Sequence, residues 1–400
     1  MLTTLLKPNF FNTFFIKPSD ELVKLTLLGL LFYSGIYYGG LYQKPESFFI
    51  GYLLFFATLF YVSYCIFTKR KLSLLVILSS YLLIALWTIF SSPHPIVDTI
   101  VVLKEASLKF FAGLNPYTST YTKVYENINP NYYNYLPFSF IFFLPFVLIF
   151  NDPRFGIIFC NILSAIFIYR IFKENNNKNI LLLFIYSFLF FPRSFYMLEH
   201  VYLDTVIFSF FLGFYYFYSN KKYLLAFLTL SLFFSFKQPM ILALPIMLTN
   251  VNFRKKILER QNLLIFVIPL FLPLYYLLLN KTAFLNNIIF NLNLNKITSP
   301  INGSLTIQTF LKNFIFFTST TSIYFTLIFT IIFLIIIRSK IPTIQKFTLT
   351  YFTFNFFMYH AFFNSYYFYV EFLFFSMILD FFNFKNNRHS KIKKMLFYNS

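Results

Sequence analysis

The sequence predicts an all-α, polytopic integral membrane protein with about 12–13 hydrophobic helices. Of its 400 residues, 58% are hydrophobic and only 12% are charged, and the mean hydropathy is +0.67. A chain of this composition is not expected to stay in solution as a set of soluble domains. The formal charge is +20, but the 33 Lys and Arg lie in short clusters between apolar runs. That pattern is typical of membrane loops, so membrane lipids are the expected partners and nucleic acid is not.

The apolar runs give the individual helices. A hydrocarbon core about 30 Å thick requires about 20 apolar residues per helix, and shorter spans occur beside protein-lined cavities. The first run follows 24 residues that carry three lysines, and no small-residue cleavage site precedes the next run, so we expect an anchor and not a cleaved signal peptide. We predict helices near residues 25–42, 48–67, 72–90, 155–172, 180–192, 201–218, 223–236, 240–249, 263–279, 314–337, 343–360 and 367–384.

The basic clusters give the orientation. Residues 69–71 are Lys-Arg-Lys and lie between the second and third helices, which predicts that segment 91–137 is extracytoplasmic. Run 138–150 is ambiguous: if it crossed fully, the next three basic clusters would be outside. If it is re-entrant or shallow, 23 of the 33 basic residues lie inside with both termini, and we adopt this alternative. No repeat or linker is visible, so residues 1–400 are predicted to form one domain with a basic cytoplasmic tail at 385–400.

The extracytoplasmic loop 91–137 carries the densest group of outer acidic residues. Asp98 precedes an apolar stripe of helical spacing, formed by Ile100, Leu103, Leu108 and Phe111, and Gly113 is a plausible helix stop. This pattern predicts a helix along the membrane surface. Asp98 is then either its N-cap or a general base at the bilayer surface. Glu105, on the same face, is either paired with Lys109 four residues on or part of the site.

Two further motifs follow in the same loop. Pro116 excludes helix at Asn115 and so predicts a turn at Leu114-Asn115-Pro116-Tyr117, and Tyr135-Leu136-Pro137 opens the next apolar run. An outer-loop aspartate about fifteen residues before Gly-x-Asn-Pro-Tyr, followed by Tyr-x-Pro, resembles the glycosyltransferase C (GT-C) superfamily. Roughly residues 90–150 carry this resemblance, which is strongest to the polyprenol-phosphate-mannose-dependent mannosyltransferases.

The resemblance implies a GT-C-like fold and a membrane glycosyltransferase in the cell envelope. Its donor would be a polyprenyl-phosphate sugar carrying a hexose such as mannose, and its acceptor the hydroxyl of a glycolipid, glycan or protein at the extracytoplasmic face of the cell membrane. Asp98 matches the catalytic loop aspartate of the family, and Asn115 and Tyr117 match its loop motif. Phe138 stands where the family usually has a second proline.

Cations on the predicted outer side complete the candidate site. A cation at the bilayer centre costs about 3 kcal/mol and somewhat less near an interface, so Arg193 and Lys237 require explanation. They either snorkel to lipid headgroups or neutralise the phosphate of a lipid-linked sugar. The predicted catalytic residue is Asp98. The predicted substrate-binding residues are Glu105, Asn115, Tyr117, Tyr135, Arg193, His200 and Lys237.

Other chemistry has little support in the sequence. The four His and two Cys show no metal-ligand spacing, and no phosphate-binding glycine loop is present, so no metal or cofactor is predicted. Cys65 and Cys160 lie within apolar runs and indicate no disulfide framework. One rival hypothesis is a transporter or flippase for a lipid-linked or small polar solute, which predicts midplane charges on broken helices in related halves. Another is a noncatalytic membrane scaffold.

Overall fold

The computed structural model describes residues 19–39, 42–124, 133–174, 177–290, 304–311, 319–357, 361 and 363–385. Over these residues the protein is all-α, with 78% helix and no strand. The chain divides into two compact units. The amino-terminal unit contains the described residues 19–124 and 140–216, and the carboxy-terminal unit contains the described residues of 133–139 and 217–385.

The amino-terminal unit is built from packed helices of unequal length. Helix α1 packs on α2 and α7, and α3 packs on α2, α6, α7 and α8. The helices are α1 (Asp20–Ile36), α2 (Pro45–Phe67), α3 (Leu74–Ser91), α4 (Asp98–Phe111), α5 (Phe138–Phe150, with its first two residues in the other unit), α6 (Arg154–Phe172), α7 (Lys178–Leu189), α8 (Ser194–Glu199) and α9 (Asp204–Ser219, with its last three residues in the other unit).

One end of the amino-terminal unit is joined by asparagine side chains. The Asn179 side chain accepts from the amide of Leu72 at 3.2 Å and donates to the carbonyl of Arg70 at 2.8 Å. Asn177 donates to the Asp20 carboxylate at 2.8 Å. The starts of α1, α3 and α7 therefore meet. We call this the Asn179 end (residues 20, 70–72 and 177–179).

The far ends of the same helices meet in a second loop cluster. The Gln43 amide donates to the hydroxyl of Ser91, the last residue of α3, at 2.8 Å. The backbone N–H of Tyr42 donates to Glu199, the last residue of α8, at 3.2 Å. We call this the Asp98 end (residues 42–44, 91–98 and 199). Because α3 runs from one end to the other, the two loop clusters lie at opposite ends of this unit.

Helix α5 corresponds to run 138–150, for which the sequence does not decide between crossing the membrane and re-entering it. Near its start, the Ser107 hydroxyl donates to the carbonyl of Phe140 at 2.9 Å. Just beyond its end, Arg154 donates to the carbonyl of Ser92 at 2.7 Å. Both ends of α5 therefore adjoin the segment that leaves the Asp98 end, and Asn151, at φ 57°, follows the helix. Thirteen residues of helix measure about 20 Å, which is less than a hydrocarbon core. Whether this run crosses the membrane or is re-entrant stays a prediction.

The carboxy-terminal unit contains shorter and more interrupted helices. Helix α18 packs on α17 and α19, and α10 packs on α13. Its elements are α10 (Tyr223–Phe234), a 3₁₀ helix (Gln238–Leu242), α11 (Ala243–Leu248), α12 (Val251–Ile257), α13 (Arg260–Val267), a second 3₁₀ helix (Ile268–Leu270), α14 (Phe271–Leu279), α15 (Lys281–Leu285), a π-helix (Asn286–Phe290), α16 (Ile307–Leu311), α17 (Ser319–Arg338), α18 (Thr343–Phe357) and α19 (Phe363–Lys385).

Five helical segments in the described part of the chain are long and apolar enough to cross a membrane. They are Glu46–Phe67, Leu74–Ser91, Arg154–Phe172, Arg260–Leu279 and Ser365–Phe382. Shorter apolar helices account for further predicted runs, at Phe138–Phe150, Lys178–Leu189, Tyr223–Phe234, Gln238–Leu248 and Tyr324–Arg338.

Several predicted boundaries are wrong by a few residues. The run predicted at 25–42 begins at Asp20, because the Ser19 hydroxyl accepts from the Leu22 amide at 3.2 Å and caps the helix. The run predicted at 201–218 begins at Asp204, which is therefore its first residue and does not lie one turn inside. Residues 386–400, most of the predicted tail, lie outside the described residues, as do 125–132 of the predicted outer loop.

Candidate functional site

Asp98 is the first residue of α4, and its carboxylate is half-buried. Its Oδ1 accepts hydrogen bonds from the Thr99 amide at 2.8 Å and from the Thr99 hydroxyl at 3.3 Å. Val97 occupies the N-cap, so the alternative that Asp98 is the N-cap is wrong by one residue. Among the described residues no hydrogen bond reaches Oδ2. A carboxylate held on one oxygen keeps lone pairs on the other with which to accept a proton.

Helix α4 confirms the helix predicted to begin at Asp98, and its apolar stripe is partly exposed. Two backbone hydrogen bonds close its end around Gly113, whose φ is +75°, as the glycine stop predicts. Leu108 and Phe111, expected in the stripe, are exposed, Phe111 by 66%. The buried residues are Thr99, Val102, Leu103, Ala106 and Ser107. Mostly small side chains on this face let the helix approach its neighbours closely.

Tyr42 joins the segment before Asp98 to the rest of the Asp98 end. Its hydroxyl donates to the carbonyl of Ile96 at 2.8 Å. Burial raises the pKa of the Tyr42 phenol, and Glu199, Tyr196 and Asp98 raise it further. The phenol therefore stays protonated and can donate at neutral pH. Its pKa also indicates that both carboxylates lie within electrostatic reach of one tyrosine.

Glu199 and His200 follow each other at the end of α8. Glu199 is fully buried, and its Oε2 lies 3.7 Å from His200 Nδ1. The same Nδ1 lies 3.0 Å from the carbonyl of Tyr196, so it carries the proton and donates it. Burial lowers the pKa of His200 to about 4, with the Tyr196 carbonyl opposing the shift. The ring is uncharged at neutral pH and packs against Tyr196 and Tyr202, with centroids 3.9 and 5.4 Å away.

Arg193 stands beside this aromatic cluster in a backbone conformation that favours glycine. Its φ is 69°, and it precedes α8 as the N-cap. The guanidinium carbon lies 5.9 Å from the Tyr37 ring centroid and 5.7 Å from that of Tyr196. No ion pair reaches Arg193 from the described residues. A half-buried guanidinium between two rings and without a carboxylate partner is suited to binding an anion bidentately.

Glu105, Asn115 and Tyr117 take part in folding the outer loop. Glu105 pairs with Lys109 at 3.2 Å, as one of the two sequence alternatives predicts, and accepts from the Thr122 amide at 3.1 Å. The Asn115 side chain accepts from the Tyr117 amide at 3.0 Å, which forms a local turn. Tyr117 is buried. These contacts give each residue a structural role, and their substrate-binding role stays a prediction.

Tyr135 and Lys237 are the two predicted site residues of the carboxy-terminal unit. Lys237 is half-buried and extended, with φ −150°, immediately before the first 3₁₀ helix. The amide of Leu136, which follows Tyr135, donates to the carbonyl of Phe236, which precedes Lys237, at 3.0 Å. The structure therefore brings Tyr135 and Lys237 onto two adjacent, hydrogen-bonded segments.

Side-chain amides fasten this junction to a third segment. Gln238 donates to the carbonyls of Asn134 and Ile288, each at 3.0 Å. Asn287 accepts from the amide of Tyr133 at 2.6 Å. Asn287 and Ile288 belong to the π-helix, and such irregular turns are frequent at functional sites. The backbone on either side of Lys237 is thus fixed by neutral hydrogen bonds.

The predicted residues fall into three groups. Arg193 and His200 adjoin the Asp98 end, which contains Asp98, through contacts of Tyr42 and Tyr196. Glu105, Asn115 and Tyr117 lie along α4 and the turn after it, and Tyr135 and Lys237 lie in the other unit. Sequence reasoning missed Tyr42 and Arg154, because no local signal ties either residue to Asp98.

In the described residues, no group of three or more His, Cys, Asp or Glu is arranged to hold a metal ion. The chain matches no family model and no curated protein. The chemistry of the site therefore has to be argued from its own geometry.

Proposed function

We propose that this protein is a membrane glycosyltransferase of the GT-C type. It moves a hexose, such as mannose, from a polyprenyl phosphate to an acceptor hydroxyl at the extracytoplasmic face. One observation carries the proposal: the partly exposed Asp98 carboxylate and the Arg193 guanidinium lie at one end of the amino-terminal unit and are connected through Tyr42, His200 and Tyr196. A base and a phosphate-binding cation are the two groups that such a transfer requires.

The membrane setting is supported by the apolar helices and by the two ends of the amino-terminal unit. The Asn179 end carries the Lys69-Arg70-Lys71 cluster and belongs at the cytoplasmic face. The Asp98 end then belongs at the extracytoplasmic face. Phe111 and Leu114 are 66% and 57% exposed beside the end of α4, and α4 with these apolar side chains is suited to lying at the lipid interface.

The reaction is a direct displacement at the anomeric carbon. The acceptor oxygen forms a bond to that carbon as the bond to the phosphate oxygen of the lipid breaks. Asp98 takes the proton of the attacking hydroxyl, and the lipid leaves as its phosphate, whose charge Arg193 offsets. Lys237, in the other unit, stays a predicted substrate-binding residue. The phosphate is charged before transfer as well, so the rate depends on orientation and on charge matched to the transition state.

Transfer is tested with the full chain reconstituted in proteoliposomes. Radiolabelled polyprenyl-phosphate sugars are supplied together with a membrane glycolipid extract, and label leaving the polyprenyl lipid is measured. The proposal expects label to appear in a new product with wild-type protein and to stay in the lipid with Asp98→Asn. Label that changes leaflet without changing its chemical carrier would instead support the flippase.

Orientation is tested by thiol labelling in a background free of Cys65 and Cys160. An impermeant reagent added from outside should react with a cysteine at Ser119 and should not react with one at Lys222. A cysteine at position 299, outside the described residues, is expected to react as well. Labelling at 222 but not at 119 would put Asp98 on the cytoplasmic face and contradict the proposed orientation.

A further inference from the structure

The six residues that lead from α3 to Asp98 form a short segment in which two prolines limit backbone hydrogen bonding. We call residues 92–97 the strap; its sequence is Ser-Pro-His-Pro-Ile-Val. Pro93 and Pro95 have no amide hydrogen, and each restrains the residue before it to extended conformations. The strap is therefore stiff, but it cannot be held through a regular backbone ladder. Its carbonyl groups need donors from elsewhere.

Side chains supply donors at both ends of the strap. Arg154 donates to the carbonyl of Ser92 at 2.7 Å and to its hydroxyl at 3.1 Å. The Tyr42 hydroxyl donates to the carbonyl of Ile96 at 2.8 Å, two residues before Asp98. Arg154 and Tyr42 are 62 and 54 residues distant from the carbonyls that they hold. These tertiary contacts fix a segment that has few internal hydrogen bonds.

Each donor is itself held in place. Arg154 is almost fully buried and forms a two-pronged ion pair with Asp152, from Nη2 to Oδ2 at 2.6 Å and from Nε to Oδ1 at 3.1 Å. A buried guanidinium held in this way has little freedom to move. The Tyr42 backbone amide is bound to Glu199, and its ring lies 5.6 Å from that of His200. Both donors are therefore held by further contacts of their own.

We propose that Tyr42 and Arg154 are positioning residues for Asp98. By pinning the carbonyls of Ser92 and Ile96, they fix where α4 begins and hence where the Asp98 carboxylate stands. The inference rests on the proposed function for its catalytic meaning. Its structural content, that Tyr42 and Arg154 hold the strap, does not depend on sugar transfer.

Tyr42→Phe is the decisive variant, because it removes one hydroxyl and keeps the ring and the Glu199 contact. Two backbone amides report on the strap: Val97, bound to the carbonyl of Pro95 at 2.9 Å, and Thr99, bound to Asp98 at 2.8 Å. Hydrogen exchange of full-length protein in lipid nanodiscs should be about ten-fold faster at both amides in Tyr42→Phe, the effect of losing one hydrogen bond.

A matched control is available in the same unit. The Tyr52 hydroxyl donates to the carbonyl of Ile36 at 2.9 Å, away from the strap. Tyr52→Phe should leave exchange at Val97 and Thr99 unchanged. Arg154→Lys, which keeps the charge but loses the fork, should accelerate exchange in the strap as Tyr42→Phe does. Unchanged exchange in Tyr42→Phe, or equal acceleration in Tyr52→Phe, would overturn the positioning role.

Transfer kinetics separate this inference from the proposed function. Tyr42→Phe should lower kcat by about ten-fold with donor KM unchanged, since misplacement of a base affects the transition state and not the binding of the lipid. A raised KM at unchanged kcat would contradict positioning. If wild-type protein transfers no sugar from any polyprenyl-phosphate donor while strap exchange still responds to Tyr42→Phe, the proposed function fails and the positioning of Asp98 stands.

Discussion

The Asp98 end and the segments around Lys237 (residues 133–136, 236–238 and 287–288, called the Lys237 junction) are held together by different chemistry. At the Asp98 end, the contacts come from ionisable side chains, including the Tyr42 phenol, the Arg154 guanidinium and the Glu199 carboxylate. At the Lys237 junction they come from the neutral amides of Gln238 and Asn287. At the Asp98 end, the side chains that position the backbone are themselves ionisable, so a change in their charge also affects the position of the backbone. At the Lys237 junction, neutral amides position the backbone, so the charge of Lys237 can be removed without removing those hydrogen bonds.

The largest effect is expected at Asp98. Asp98→Asn keeps the oxygen that accepts from Thr99, but the amide has no carboxylate oxygen to take up a proton. If Asp98 is the base, turnover falls by about 10²-fold or more while the protein remains folded. Initial rates of sugar transfer with one donor and one acceptor measure the change. Transfer at the wild-type rate would remove Asp98 from the mechanism.

The second effect is a pH-dependent stability that belongs to the amino-terminal unit. The folded pKa of His200 is about 4, below its ordinary value of 6.5. Between these values the unfolded chain binds the proton and the folded protein does not, so stability is full above pH 6.5 and is lost as the pH falls. At pH 5 the loss should be about 2 kcal/mol.

Thermal unfolding in detergent at pH 7 and pH 5 measures this loss. His200→Phe keeps an aromatic ring in the same packing position but cannot titrate, so its unfolding temperature should change less between the two pH values. Equal shifts in wild type and variant would show that another group causes the pH dependence. The described histidines, His94 and His200, both belong to this unit.

Arg193 and Lys237 test one cation in each region for a role in donor binding. Arg193→Met and Lys237→Met should each raise the KM for the polyprenyl-phosphate donor by about ten-fold, the value of one charge-assisted hydrogen bond. Unchanged donor KM in both single variants would remove them from the phosphate site.

The smallest effect is expected for Glu105→Gln. The partners of Glu105, Lys109 and the Thr122 amide, stabilise the loop after α4, and the ion pair is partly exposed, so it contributes less than about 1 kcal/mol. Sugar transfer should stay within about two-fold of wild type. A loss as large as that of Asp98→Asn would assign Glu105 a shared electrostatic role in the reaction.

Local features of the site could be predicted from sequence, and tertiary features could not. The helix beginning at Asp98, its stop near Gly113 and the Glu105 pairing with Lys109 all follow from residues a few positions apart. The contacts that hold the segment before Asp98 do not, because Tyr42 and Arg154 are 54 and 62 residues from the carbonyls that they bind. Periodicity identifies the apolar stripe of α4 but not which of its residues protein covers: Leu103 is buried, whereas Leu108 and Phe111 are exposed.

The sequence also does not distinguish the roles of individual basic residues. A basic residue near an apolar run is compatible with a side chain that snorkels to lipid or with one that binds a ligand. Only the structure shows that Arg154 is buried and engaged by Asp152, whereas Arg193 is held between two aromatic rings. Two arginines with similar sequence surroundings therefore have different partners.

The residues that hold the strap are far apart along the chain and are therefore synthesised at different times. Ser92 and Ile96 leave the ribosome before Arg154 is made, and Glu199 is synthesised about a hundred residues after Asp98. At about 5–20 residues per second, the aspartate waits roughly 5–20 s for the last of its supporting side chains. During synthesis, the candidate base is therefore present well before the geometry that would make it competent, and a chain that stops before residue 199 would display Asp98 without that geometry.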